Sequence, residues 1–252
     1  MESKVLFLVL FIGVVCWTAP ARSMNKLPVF LKSCKLDKNF DNCMMKNGNL
    51  AIPTLAKGDA KWKIPVLDPL KVPSVSISES SAKSIALNIT LNDLEIYGLK
   101  ESKLVASRFD VNRKHVVWKI AVPRLTLLSK YKVAGRFLVL PITGSGPATV
   151  MLESPMLTYK FDYKLVKRNN EDYLQVTKSD LKHTTTRLRI NFENLFNGDK
   201  ALGASTNKLI NENWEEFNQQ LAPSVVQSIG AILTQVLSNI VKTVPYENIF
   251  TK

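Results

Sequence analysis

The sequence predicts an α+β fold: a long curved antiparallel β-sheet wrapped around a long C-terminal helix, in a single elongated domain. Three observations carry this. Apolar residues alternate with polar or small ones through much of the middle of the chain, which is the period of a half-buried strand. After Asn197-Gly198-Asp199 the apolar spacing changes to steps of three and four, the period of a helix. No low-complexity linker interrupts the 252 residues, a length that one extended β-rich unit can span.

The chain opens with Lys4 before an unbroken apolar run from Val5 to Trp17, followed by small residues at Ala19, Ala21 and Ser23. That pattern is a secretory signal peptide, expected over residues 1–23 with cleavage near Ala21 or Ser23. The run falls short of the ~20 apolar residues of a membrane-spanning helix, so no integral membrane segment is expected after cleavage. Cys16 leaves with the signal, and the remaining pair, Cys34 and Cys43, reads as a local disulfide in an oxidising compartment, with two free thiols the alternative. Asn88-Ile89-Thr90 is a glycosylation sequon in the right compartment, inside a strand pattern.

From Asn25 to about Gly58 the chain reads as short helical or irregular structure, with Asp41 as a cap and Pro28 and Pro53 as stops. Strict alternation begins at Ile85, Leu87, Ile89 and Leu91, and returns at Val116, Trp118, Ile120 and Val122 and again from Leu157 to Leu165. Further strand runs cover Phe137 to Ile142, Leu174 to Val176 and Leu188 to Phe192. Turn signals separate them at 110–114, at Gly144-Ser145-Gly146-Pro147 and at 169–172. Short connections between consecutive strands favour an antiparallel meander.

The helical pattern runs through Ile210, Trp214, Phe217, Leu221, Val225, Ile229, Ile232, Val236 and Ile240, about eight turns or roughly 45 Å. Pro223 should kink it, unless the segment is two helices in sequence. From Pro223 to Val241 there is no charged residue. Such a helix needs to be surrounded, and it lacks the basic polar face of a helix that lies on a membrane.

The net charge of +13 raises nucleic acid as a partner, but secretion argues against it. The basic residues are also spread along strands, as in Lys160, Lys164 and Lys182, which suits solvated outer sheet faces. No catalytic constellation is present: His115 and His183 are the only histidines and form neither a nucleophile–base pair nor a metal cluster at ligand spacing. Neither a cofactor nor a metal is expected. What remains is apolar surface, including Trp118, Tyr131, Phe137, Tyr159, Phe161, Phe192, Trp214 and Phe217. Such residues fill a core or line a cavity, and the sequence alone leaves both open.

Several stretches together resemble the insect takeout and haemolymph juvenile-hormone-binding protein family. They are the pair Cys34 and Cys43, Asp68-Pro69-Leu70-Lys71-Val72-Pro73, Leu94-Glu95-Ile96-Tyr97-Gly98-Leu99, Val122-Pro123-Arg124-Leu125, and Tyr131 through Gly135 to Leu138-Val139-Leu140-Pro141-Ile142. Leu195-Phe196-Asn197-Gly198-Asp199, Asn211-Glu212-Asn213-Trp214 and Pro245-Tyr246-Glu247-Asn248-Ile249-Phe250 complete the set. The resemblance covers nearly the whole mature chain in order. With one disulfide available, the takeout branch is the nearer match.

The resemblance implies a tubular-lipid-binding-type fold over residues 24–252, with an apolar tunnel between sheet and helix. It implies a secreted, non-enzymatic carrier, in haemolymph or another extracellular fluid, of a juvenile hormone-like terpenoid or other long-chain lipid. Links to circadian, feeding or chemosensory signalling follow from the same relatives, with room for an unidentified receptor. The expected ligand-facing residues are Trp118, Tyr131, Phe137, Tyr159, Phe161, Phe192, Trp214, Phe217, Leu221, Val225, Ile229, Ile232 and Val236, with the Tyr131 hydroxyl meeting an epoxide or carbonyl. The rival readings are a secreted signal protein with a filled core, acting through its surface, and a lipid-modifying enzyme.

Overall fold

The computed structural model describes residues 26–78 and 85–251; the expected signal peptide lies outside them. The described chain begins with a two-residue strand β1 (Cys34–Lys35) and the helix α1 (Phe40–Leu55). Nine long strands follow: β2 (Leu70–Ser78), β3 (Ile85–Tyr97), β4 (Lys103–Asp110), β5 (His115–Ala121), β6 (Arg124–Phe137), β7 (Leu140–Glu153), β8 (Met156–Arg168), β9 (Glu171–Thr184) and β10 (Arg187–Phe192). The chain closes with α2 (Lys200–Glu212), α3 (Trp214–Val241), α4 (Tyr246–Ile249) and β11 (Phe250–Thr251).

The wrapping sheet takes the form of two open antiparallel sheets. One has the order β10-β7-β6-β3-β2 and the other β4-β5-β8-β9. Alternation does what the sequence pattern demands: in β8, Leu157, Tyr159, Phe161 and Tyr163 are buried while Lys160 between them and Lys164 after them are exposed. The outer faces carry the charge, with pairs such as Lys71–Glu95, Lys130–Asp93 and Arg189–Glu153. Such solvated pairs add little stability each. The register shifts between Asn92 and Glu95, and again between Asp162 and Tyr163; irregularities of this kind bend and twist a strand.

Helix α3 packs on β9 of one sheet and on β2 and β10 of the other, so it closes the space between them. Helices α1 and α2 cover β4 and β10. Side-chain amides do the covering. Asn49 on α1 accepts from Leu104 N at 2.7 Å and donates to Leu104 O at 3.0 Å, and β4 is the last strand of its sheet. An edge capped this way offers no template to another chain.

Five local expectations need correcting. Pro53 does not stop α1, which runs on to Leu55 with the proline inside it. The run from Phe137 to Ile142 is not a strand: β6 ends at Phe137, β7 begins at Leu140, and Leu138 takes a positive φ of 54° in the tight turn between them. Conversely, Gly144 to Pro147 is no turn but lies inside β7. The glycines there permit close approach, because a Cβ on Gly144 would sit 2.9 Å from Leu195 Cα, and one on Gly146 2.7 Å from the Glu193 carbonyl. Asp41 does not cap α1; Asn39 holds that position, and the Asp41 carboxylate accepts instead from Phe109 N at 3.0 Å. The C-terminal helical pattern is two helices, but the break falls at Asn213 (φ −107°, ψ 32°), and Pro223 lies within α3.

A separate small core ties the two ends of the described chain together. Cys34 and Cys43 form the disulfide, β1 pairs in parallel with β11, and Phe40 packs against Phe109 and Phe250 with ring centroids 5.1 and 5.6 Å apart. Closing so short a loop stabilises by about 2–3 kcal/mol on the chain-entropy account.

Candidate functional site

An apolar cavity lies where α3 faces both sheets. Ile89, Leu91 and Ile96 on β3 and Leu188, Ile190 and Phe192 on β10 form much of one wall. Phe217, Leu221, Val225 and Ile229 on α3 form another, and Leu157 on β8 and Leu181 on β9 bring in the second sheet. These α3 positions recur every four residues, so one stripe of the helix faces the space. The free volume is about 100 Å³. Unfilled apolar space of that size costs about 2 kcal/mol at the usual cavity penalty.

Two polar side chains border the cavity, His183 on β9 and Asn218 on α3. His183 Nε2 lies 3.0 Å from Asn218 Oδ1, so the ring nitrogen donates and the amide oxygen accepts. Among the described residues no group of three or more His, Cys, Asp or Glu side chains is placed to hold a metal ion. His115 pairs with Asp162 at 2.6 Å on the outer face of its sheet.

Of the thirteen ligand-facing residues expected from sequence, five border the cavity: Phe192, Phe217, Leu221, Val225 and Ile229. The other eight are placed elsewhere. Trp118, Tyr159 and Phe161 stack together on the inner face of β5 and β8, with centroids 5.3 to 6.2 Å apart. Phe137 packs on Phe217 at 6.1 Å, Trp214 lies under the Arg187 guanidinium at 5.7 Å, and Ile232 and Val236 join the main core. The Tyr159 hydroxyl bonds Thr234 Oγ1 at 2.8 Å, and that atom also meets Ser179 Oγ at 2.8 Å.

Tyr131 is committed to structure. Its ring lies 4.6 Å from that of Phe192, and its hydroxyl donates to the Glu193 carbonyl at 2.6 Å. Burial, with a smaller contribution from the Glu193 charge, pushes its ionisation up to about 12, so it remains a neutral donor. Asn88 is exposed on the outer face of β3, between Ser78 and Ala134 on the flanking strands, and Thr90 shares that face.

Sequence reasoning missed the aliphatic residues that the strands contribute to the wall, together with His183 and Asn218. The alternation already singled out Ile89, Leu91 and Leu157; favouring aromatic residues passed over them. Asn218 had a signal too, as a polar residue one position from Phe217 on the apolar stripe.

The family model described as haemolymph juvenile hormone binding protein matches residues 6–251. The circadian clock-controlled protein daywake of Drosophila melanogaster is 26% identical over 258 residues, covering 98% of this chain and 97% of that protein. Daywake of Drosophila yakuba is 24% identical, covering 96% and 95%. Among solved structures, Takeout 1 of Epiphyas postvittana superposes with a TM-score of 0.81 at 22% identity, covering 88% of this chain and all of that one.

Proposed function

Because the chain belongs to the haemolymph juvenile hormone binding protein family, we propose that it is a secreted, non-enzymatic carrier of a small hydrophobic ligand held between α3 and the two sheets. The observation that carries this is the cavity itself, walled by aliphatic and aromatic side chains from seven strands and one helix. A void of that kind lowers stability while empty, and its filling by an apolar ligand offsets the loss at about 25 cal/mol per Å² buried. At about 100 Å³ it is smaller than the ~300–1,000 Å³ of typical ligand sites, so a terpenoid or long-chain lipid enters by pushing α3 outward. A place in a daily rhythm belongs to the same reading, on the strength of the daywake relatives.

That small volume also favours a rival, a surface-acting secreted protein whose core is nearly full. Native mass spectrometry of the secreted protein, before and after solvent extraction, separates the two. A discrete extra mass that extraction removes and a terpenoid or lipid restores at one per chain supports the carrier. A bare mass that accepts no such compound supports the rival.

A further inference from the structure

The cavity does not end at Leu181 and Val226. On their far side an open cleft of about 730 Å³ runs between β9 and α3, and Leu181, His183, Asn218 and Val226 border both spaces. One layer of side chains therefore separates an apolar interior from a polar mouth. The mouth is lined by Ser179, Lys182, Gln219 and Gln227, with Asp180 as its one acid.

Three features make this wall a place where a ligand can lie across it. The hydrogen bond between His183 Nε2 and Asn218 Oδ1 uses one atom of each side chain, which leaves the Asn218 amide nitrogen as a donor at the boundary. Pro223 borders the cleft and has no N–H for the Gln219 carbonyl, so the α3 ladder lacks a bond one turn after Asn218. Gly230 brings α3 close to β9, since a Cβ there would meet Leu181 Cβ at 3.0 Å; both residues border the cleft, so this contact sets the spacing of its two walls.

Resting on the carrier reading above, we infer that cavity and cleft are one amphipathic site whose ligand is a single-chain lipid ending in a carboxylate: its chain lies along the Leu221–Ile229 stripe and its head sits at His183 and Asn218, facing Lys182. The Asn218, Gln219 and Gln227 amides and the Lys182 ammonium outnumber the single acid there, which suits an anionic acceptor head and disfavours a wholly apolar ligand enclosed inside.

Displacement of the fluorescent probe N-phenyl-1-naphthylamine from the full secreted protein by dodecanoate and by dodecane tests this. Wild type should prefer dodecanoate at least tenfold. His183→Leu and Asn218→Leu should each reduce that preference at least tenfold, and Gln227→Trp, which fills the cleft from outside the cavity, should weaken dodecanoate binding by a similar factor. Circular dichroism confirms that each variant is folded, and the cleft variant carries the test if the other two are not. Dodecane binding with no preference for dodecanoate, or a preference that all folded variants keep, overturns this site and leaves the carrier standing. Failure of both compounds to bind overturns the carrier reading as well.

Discussion

Asn211 holds Ile190 by both of its backbone groups: Asn211 Oδ1 accepts from Ile190 N at 2.8 Å, and Asn211 Nδ2 donates to Ile190 O at 2.7 Å. One turn earlier Asn207 does the same to Phe192, at 2.9 Å each way. Since β10 is the last strand of its sheet, α2 stands in for a missing neighbour, with two side-chain amides in place of a backbone. Ile190 and Phe192 both line the cavity, so the cavity's position depends on that substitute edge.

Asn211→Leu keeps the size of the side chain and removes both bonds. It should lower unfolding stability by about 1–3 kcal/mol, the cost of leaving partly buried groups unpaired. Urea unfolding followed by circular dichroism checks this, and a loss under a few tenths would mean that water satisfies the β10 edge.

Val225→Phe adds volume to the cavity wall. Affinity for an apolar probe should drop at least tenfold, with thermal stability kept or slightly raised because empty space is filled. Probe titration beside a melting curve gives both readings; unchanged affinity would place the ligand elsewhere.

Gly144→Ala puts a Cβ 2.9 Å from both Leu195 Cα and the Tyr131 hydroxyl oxygen. Backbone has to move there, and overpacking of this kind costs about 1–3 kcal/mol. If Gly144 only marked a turn, the substitution would be nearly neutral by differential scanning calorimetry.

Tyr131→Phe removes the hydroxyl bond to Glu193. The phenol ionises near 12 in the folded chain and near 10 when unfolded, so between those values the folded state holds the proton that the unfolded state has lost. Stability contributed by this group is full below pH 10 and declines as pH rises toward 12. The stability gap between wild type and Tyr131→Phe should narrow over that window, as measured by denaturant unfolding at stepped pH. A gap independent of pH would detach Tyr131 from the alkaline loss.

The strands were legible where one face is buried and the other wet, as in β8, and the helical stripe was legible from Ile210 to Ile240. What escaped has a physical reason in each case. Gly144 and Gly146 carry the composition of a turn, yet they serve a crossing with Leu195 and Glu193, residues some fifty positions away. The helix break went to Asn213 because Pro223 is tolerated on an exposed side of α3. Within the site, alternation told which residues face inward but not where the interior stays empty: Trp118 and Phe161 fill their space, and Ile89 and Leu91 leave theirs open.

The parallel pairing of Cys34 with Phe250 sets an order on biosynthesis. Both cysteines emerge early from the ribosome, and the disulfide has all its atoms long before translation ends. Phe250 follows Cys43 by 207 residues, so it is made only after every strand of both sheets and after α3. The face that Phe40 and Phe109 offer to Phe250 therefore waits for its cover until after α3, and that end of the molecule is sealed late.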